Sequence, residues 1–322
     1  MKTLVLLSLL FSSALLRAAG ALTAEEQTQV IENAARLIEE RYVNPDSART
    51  IASELRNAKA QWAHVTEPAA FAREVTEWLR ATSGDGHLGL SYSEKALSKE
   101  DGGSGFSAAE TEKYYGAHLN HGVEKIERLP GNIILVDLRV FPPAAMAGDV
   151  FGAAMTVAAQ GDALILDLRQ NGGGADTSAN LLVGYLLDGG KPLSGTYDRP
   201  TNIHSANTSP VWVPGRRFGS TKPLYILTSR KTFSAAEAVA YDLQALKRAT
   251  IVGEVTGGGA HPFEYRRVHP HFAVDLPEGR SINPITGSNW QDVGVKPDVA
   301  VRAEQALAKA LEIARAAIAR KQ

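Results

Sequence analysis

Apolar positions along this chain recur with two different periods. Behind Thr23, residues Ile31, Ala34, Leu37, Ile38 and Tyr42 return every three or four positions, the spacing of one helical face. Thr23-Ala-Glu-Glu26 opens that stretch as a capping box. Two more helical stretches, near residues 48–60 and 69–82, complete a small helical subdomain over 22–82. From residue 83 the texture changes to short apolar runs between glycine-rich turns. The stretches 131–139, 163–168, 223–228 and 249–253 read as buried strands. Between them, 146–160, a segment ending at Leu186, and 235–246 read as helices, so 83–322 is expected to be an α/β core. Residues 261–295 mix short extended pieces with Pro and Gly turns, and an Ala-rich helix over 303–319 closes the chain.

The first residues follow neither pattern. Lys2 precedes an apolar run from Leu4 to Leu16, and Ala19-Gly20-Ala21 fits a small-residue cleavage signal. Residues 1–21 are therefore expected to be a signal peptide and the mature protein to be exported, periplasmic or secreted. The run is shorter than the roughly 20 apolar residues a bilayer span needs, so no stable membrane insertion is expected after cleavage.

Composition narrows the chemistry. With Lys+Arg 34 against Asp+Glu 35 the net charge is -1, and no basic block offers a nucleic acid an electrostatic footing. Cys is absent, which excludes disulfides, thiol catalysis and Cys-based zinc sites.

Three segments carry candidate chemistry. Thr228-Ser-Arg-Lys-Thr-Phe-Ser-Ala-Ala-Glu237 places Ser234 between a buried strand and a helix, where a hydroxyl meets the free N–H groups of the helix start. The same Ser234-Ala-Ala-Glu237 is also a capping box, so a purely structural serine stands beside the nucleophilic one. Asp167-Leu-Arg-Gln-Asn-Gly-Gly-Gly174 lets backbone approach a ligand closely, without the spacing of a phosphate loop. Its bland reading is a glycine turn. Ser83-Gly-Asp-Gly-His-Leu-Gly89 sets His87 in a glycine-flanked turn, and an imidazole is the natural base for a serine. His261, His269 and His271 are close in sequence, but Pro270 and the lack of a nearby carboxylate pair argue against a metal site. Trp212, Arg216 and Arg217 could line a groove, with a solvated loop as the plainer reading.

Taken together and in order, these motifs resemble the tail-specific, or C-terminal processing, serine peptidases. The likeness is strongest to the branch with the tricorn core and the interphotoreceptor retinoid-binding protein modules. It rests on Gly86-His87, the 167–173 stretch, 228–237, Gly253-Glu-Val-Thr-Gly-Gly-Gly259 and Gly294-Val-Lys-Pro-Asp298. The resemblance implies a crotonase-like ββα spiral core with the helical segment packed against it. It maps Ser234 onto the nucleophile and His87 onto the tricorn-type base. It also maps the Ala235 N–H, with that of Gly172 or Gly173, onto the oxyanion hole.

The chain departs from the family pattern twice. Where the processing proteases carry a basic lysine, this chain has Gly259, so His87 must take the proton. Where the family places an orienting Glu after Trp290, this chain has Gln291, with Asp292 one residue later. Only about 40 residues separate His87 from Gly131, and a PDZ module needs roughly twice that, so none is expected.

The expected function is a serine-type peptidase acting on peptides or unfolded proteins through a Ser234 acyl-enzyme, without a cofactor. The alternative is an inactive module of the same fold that binds an apolar ligand. An esterase on the same serine is a third reading; G-x-S-x-G is missing around Ser234, which removes support for an α/β-hydrolase elbow.

Overall fold

The structure is a computed structural model describing residues 20–97 and 108–320. The expected signal segment lies outside the described residues except for Gly20 and Ala21.

Three helices come first: α1 (Ala24–Arg41), α2 (Pro45–Ala58) and α3 (Pro68–Ser83). The capping box at α1 forms as the sequence predicts, with Glu26 N–H donating to Thr23 Oγ1 at 3.2 Å and Thr23 N–H to Glu26 Oε2 at 2.9 Å. Helices α2 and α3 each open on a proline whose missing N–H costs nothing at that position. That is why α2 starts at Pro45, earlier than periodicity alone placed it. Gly84, at φ 72°, ends α3 in the left-handed conformation.

The remaining elements in chain order begin with β1 (Gly89–Tyr92), α4 (Ala108–Tyr115), β2 (Val123–Leu129), β3 (Ile133–Leu138) and α5 (Ala144–Ala158). Next are β4 (Ala163–Asp167), α6 (Asp176–Leu186), β5 (Pro192–Asp198), β6 (Ile203–Thr208), β7 (Leu224–Thr228) and α7 (Ala235–Ala245). The chain closes with β8 (Thr250–Gly253), β9 (Phe263–His269), β10 (Phe272–Pro277), β11 (Gly279–Ile282), β12 (Val299–Ala300) and α8 (Ala306–Ala319).

The central sheet has the order β12-β8-β7-β4-β3-β2, parallel except for the edge strand β2. Its strands are apolar on both faces, as a sheet covered on both sides requires. Ile134, Val136, Leu164, Leu166, Leu224 and Ile226 face α5, α6 and α7, while Ile133, Leu135, Ile165, Tyr225 and Leu227 meet α8 through Ala306, Ala310 and Ala314. Period two in the strands meets the small stripe of α8, and the alanines let that helix lie close.

Two small antiparallel sheets, β1-β10-β9 and β11-β5-β6, flank this core. The β5–β6 hairpin is mostly polar, with Leu193 its one buried apolar side chain, and carries no clear strand pattern. The helical subdomain does not close a core by itself: its apolar cluster takes in Leu88 and Leu90 around β1, and Val268, Phe272, Val274 and Leu276 from β9 and β10. The buried Glu278 strengthens that junction, accepting from Arg41 of α1 and from Arg266 of β9 at 2.5–3.1 Å.

Parallel pairing of β4 with β7 brings their carboxyl ends side by side. The loop after β4 carries the three glycines, and the loop after β7 carries Ser234. The crevice beyond parallel strand ends is the usual ligand position in such sheets.

Candidate active site

Ser234 sits at the head of α7 with φ 55° and ψ −123°. For a residue with a Cβ this conformation costs on the order of 1–3 kcal/mol and must be held by its surroundings. The holder is Glu237. Its fully buried carboxylate accepts the Ser234 N–H at 2.9 Å, the Thr256 hydroxyl at 2.5 Å, and the Gly258 and Gly259 N–H groups at 2.7 and 2.8 Å. Burial pushes the Glu237 carboxyl above its ordinary range, and these four donors oppose that shift. The predicted Ser234–Glu237 pairing thus extends past the helix start and ties the serine turn to the 256–259 loop.

The glycine run packs directly against that turn. Gly173 lies at φ 101°, and a Cβ there would come 2.7 Å from Ser234 Cβ and 3.1 Å from the Ala235 nitrogen. Its N–H is committed to Asn171 Oδ1 at 2.8 Å. Of the two candidate glycines, Gly172 is therefore the one whose N–H makes no hydrogen bond among the described residues. Ala235 opens α7, so its N–H has no acceptor within the helix.

His87 lies in the same cleft, 7% exposed, between two aromatic rings. Its centroid is 4.6 Å from that of Phe233 and 5.4 Å from that of Phe263. Burial lowers its pKa to about 4; the Asp85 charge opposes this, while His261 and Arg80 reinforce it. Nδ1 of His87 is buried without a hydrogen-bond partner, and no hydrogen bond joins His87 to Ser234.

Gly259, where the sequence resemblance expects the processing proteases' lysine, has no room for a side chain. A Cβ on Gly259 would overlap the Phe233 ring and lie 2.8 Å from His87 Cε1. The space is already filled by the imidazole and the phenyl ring.

Gln291 and Asp292, the two sequence candidates for orienting His87, stand apart from it. Gln291 Oε1 accepts the Ala260 N–H at 2.7 Å, and its amide donates to Asp292 Oδ1 at 2.8 Å. Asp292 is exposed, and neither side chain lines the cleft. The carboxylate beside His87 is Asp85, which sequence reading passed over although it stands in the quoted Ser83–Gly89 segment. It is 1% exposed and bonded to His261, the histidine weighed only as a metal ligand. His271 donates to the Ser93 carbonyl instead, Arg217 to the carbonyls of Gly184 and Leu187, and Trp212 is 74% exposed.

The cleft joining these groups encloses about 600 Å³. Ser234, His87, Gly172 and Ala235 share its wall with Phe263 and Trp290. Among the described residues, no helix is long and apolar enough to cross a membrane.

Comparison with known proteins places this geometry. Residues 12–118 match the N-terminal domain of Peptidase_S41 in eukaryotic IRBP. A chloroplastic C-terminal processing peptidase of Tetradesmus obliquus is 31% identical over 145 residues, which is 42% of this chain and 28% of that protein. The chain thus spans well under half the length of this relative. Among solved structures, a lipoprotein from Streptococcus agalactiae superposes with a TM-score of 0.59 at 16% identity, covering 92% of this chain and 97% of the other. The tricorn protease superposes with a TM-score of 0.60 at 14% identity, covering 92% of this chain and 37% of its own. At these identities the superpositions speak for a shared fold. Residues 136–301, more than half of the chain, match the model of peptidase family S41, and the chain belongs to that family.

Proposed function

We propose that this chain is an exported serine peptidase that cleaves peptides or unfolded proteins through an acyl-enzyme on Ser234. The observation that carries the reading is the strained Ser234 turn, pinned by Glu237, facing a buried imidazole and two free N–H groups in one cleft. The Glu237 bond to the Ser234 N–H is itself half of a capping box. A serine that only capped a helix would still need neither the strained backbone nor the imidazole and free N–H groups beside it.

In the proposed reaction His87 accepts the Ser234 hydroxyl proton as Oγ attacks the scissile carbonyl carbon. The Gly172 and Ala235 N–H groups hold the oxyanion, and each such donor is worth about 10²–10³ in rate. The imidazolium gives its proton to the departing amine, and the C–N bond breaks. Water, deprotonated by His87, then attacks the acyl carbon and releases the acid from Ser234. Export is proposed from the charged start, apolar run and small-residue site of residues 1–21.

The test is intact-mass analysis after treatment with a fluorophosphonate. One adduct on the parent and none on Ser234→Ala, with cleavage of an unfolded protein lost in the same variant, is the expected result. A folded parent that takes no adduct would instead favour the ligand-binding reading.

A further inference from the structure

An imidazole that takes a proton while buried needs a countercharge, and the family's usual position for it holds the neutral Gln291. Asp292 next to it is exposed and engaged with Gln291. A buried carboxylate behind the cleft wall, next to His87, is nevertheless placed for the work.

Asp85 Oδ1 accepts the His87 backbone N–H at 2.9 Å and stands 3.9 Å from His87 Nδ1. Asp85 Oδ2 accepts from His261 Nδ1–H at 2.8 Å and from the Tyr42 hydroxyl at 3.0 Å. Both oxygens are held, so the carboxylate cannot swing to solvent. Among the described residues it is the one carboxylate within 4 Å of the His87 ring.

We propose that Asp85 is the positioning carboxylate of this site: it fixes His87, favours its proton on Nδ1, and supplies the countercharge for the imidazolium. His261 and Tyr42 are its anchors. The inference rests on the serine-peptidase reading for its purpose, but the Asp85–His87 coupling can be measured without turnover.

Three further observations support it. The buried Nδ1 of His87 has no hydrogen-bond partner among the described residues and lies 3.9 Å from this carboxylate, so the proposed bond requires the two to close by about 1 Å. A proton on Nδ1 leaves Nε2 free to act as base, the arrangement a serine triad requires. Although burial alone would raise the Asp85 pKa, the hydrogen bond and charge of His261 and the His87 N–H hold it below the usual carboxylate range. Asp85 therefore stays ionised at neutral pH. The cleft wall carries Asp176, Asp275, Tyr115 and Tyr265, and the rings of Phe233 and Phe263 pack on the imidazole. Of the other charged groups that act on His87, Arg80 and His261 disfavour its charged form. Asp85 alone acts in the opposite sense.

A plainer role for Asp85 is a turn in which its side chain accepts the N–H two residues on. Asp85→Asn separates the two, because an asparagine keeps that acceptor and drops the charge. In the full chain, fluorophosphonate acylation of Ser234 is followed by intact mass from about pH 2.5 to 9, a range that brackets the low His87 pKa. Asp85→Asn is expected to slow acylation by about 10²–10⁴-fold, the range that general-base catalysis contributes, and to move the acid limb to lower pH. Tyr42→Phe removes a donor that competes for the carboxylate, so it should move the limb to higher pH. NMR titration of the His87 ring reads the same coupling in protein that is not acylated. There Asp85→Asn should lower the midpoint and shift the neutral ring away from the Nδ1–H tautomer. A parent that resists acylation yet shows these NMR shifts would remove the peptidase reading and leave the coupling. An unchanged His87 titration in Asp85→Asn overturns the proposal, as does finding these effects in Asp292→Asn instead.

Discussion

Glu237 accepts the backbone N–H of Ser234 at 2.9 Å while its other oxygen takes the Thr256 hydroxyl and the Gly258 N–H. One buried side chain therefore joins the serine turn to the loop that closes over His87. All of its partners are donors, and this decides what can replace it. Glu237→Ala would leave four buried donors without an acceptor, at about 1–3 kcal/mol each before relaxation. Glu237→Gln fares little better, because its amide NH₂ would face the Ser234 and Gly259 N–H groups. We expect both variants to lose at least about 3 kcal/mol in denaturant unfolding and to lose acylation of Ser234. A glutamine variant with parental stability would contradict this account of the turn.

The pH profile of acylation should reflect the burial of His87. Its pKa is lowered to about 4, so the neutral base persists well below the usual histidine range. We expect the rate to fall on an acid limb centred near pH 4, against about 6.5 for a solvated imidazole. The same shift has a consequence for stability. Because the folded-state pKa is depressed, unfolding becomes easier as pH drops below about 6.5 and the effect levels off near 4. It amounts to roughly 3 kcal/mol. His87→Phe should flatten that part of the stability curve in urea titrations at successive pH values.

Returning the family's lysine to this chain should not create a serine–lysine pair. At Gly259 any side chain meets the Phe233 ring and His87 Cε1. Gly259→Lys is expected to displace the imidazole and abolish fluorophosphonate labelling across the pH range. Labelling that persists and acquires a lysine-like alkaline limb would show that the loop can open.

Glu278 holds α1 to the strands beside the cleft through two arginines, and its side chain is 3% exposed. Burial alone would raise its pKa, but Arg266 and Arg41 hold it below the ordinary value. The stabilisation is thus complete above the unfolded Glu pKa of about 4.3 and is lost as pH falls through the lower folded value. Glu278→Gln leaves two guanidinium groups facing a neutral amide. We expect a loss of about 3 kcal/mol at pH 7, with the difference from the parent narrowing on acidification. A gap of constant size down to pH 3 would argue against the ion-pair account.

Much of this architecture was legible before any coordinates. The near-continuous apolar runs in Ile133–Leu138 and Ala163–Asp167 mark strands covered on both faces, and the Ser234 and glycine-run segments mark turns at the carboxyl ends of strands. Those features are local: period, caps and glycine placement act within about ten residues, so sequence carries them directly. The β5–β6 hairpin escaped because its residues are mostly polar, with Leu193 alone buried, and its pairing comes from partners outside the strand itself.

The surroundings of His87 were not legible for the same reason. Asp85 stands two residues before His87, yet its oxygens are set by His261, 176 positions away, and Tyr42, 43 positions away. Likewise the lack of room at Gly259 follows from Phe233 and His87 filling one space from different loops. The sequence by itself determined the strand–turn–helix frame, the serine and the histidine. Tertiary structure decided which carboxylate faces that histidine and which glycine N–H stays free. Hydrogen-bond partners and local dielectric depend on distance in space, which order along the chain does not record.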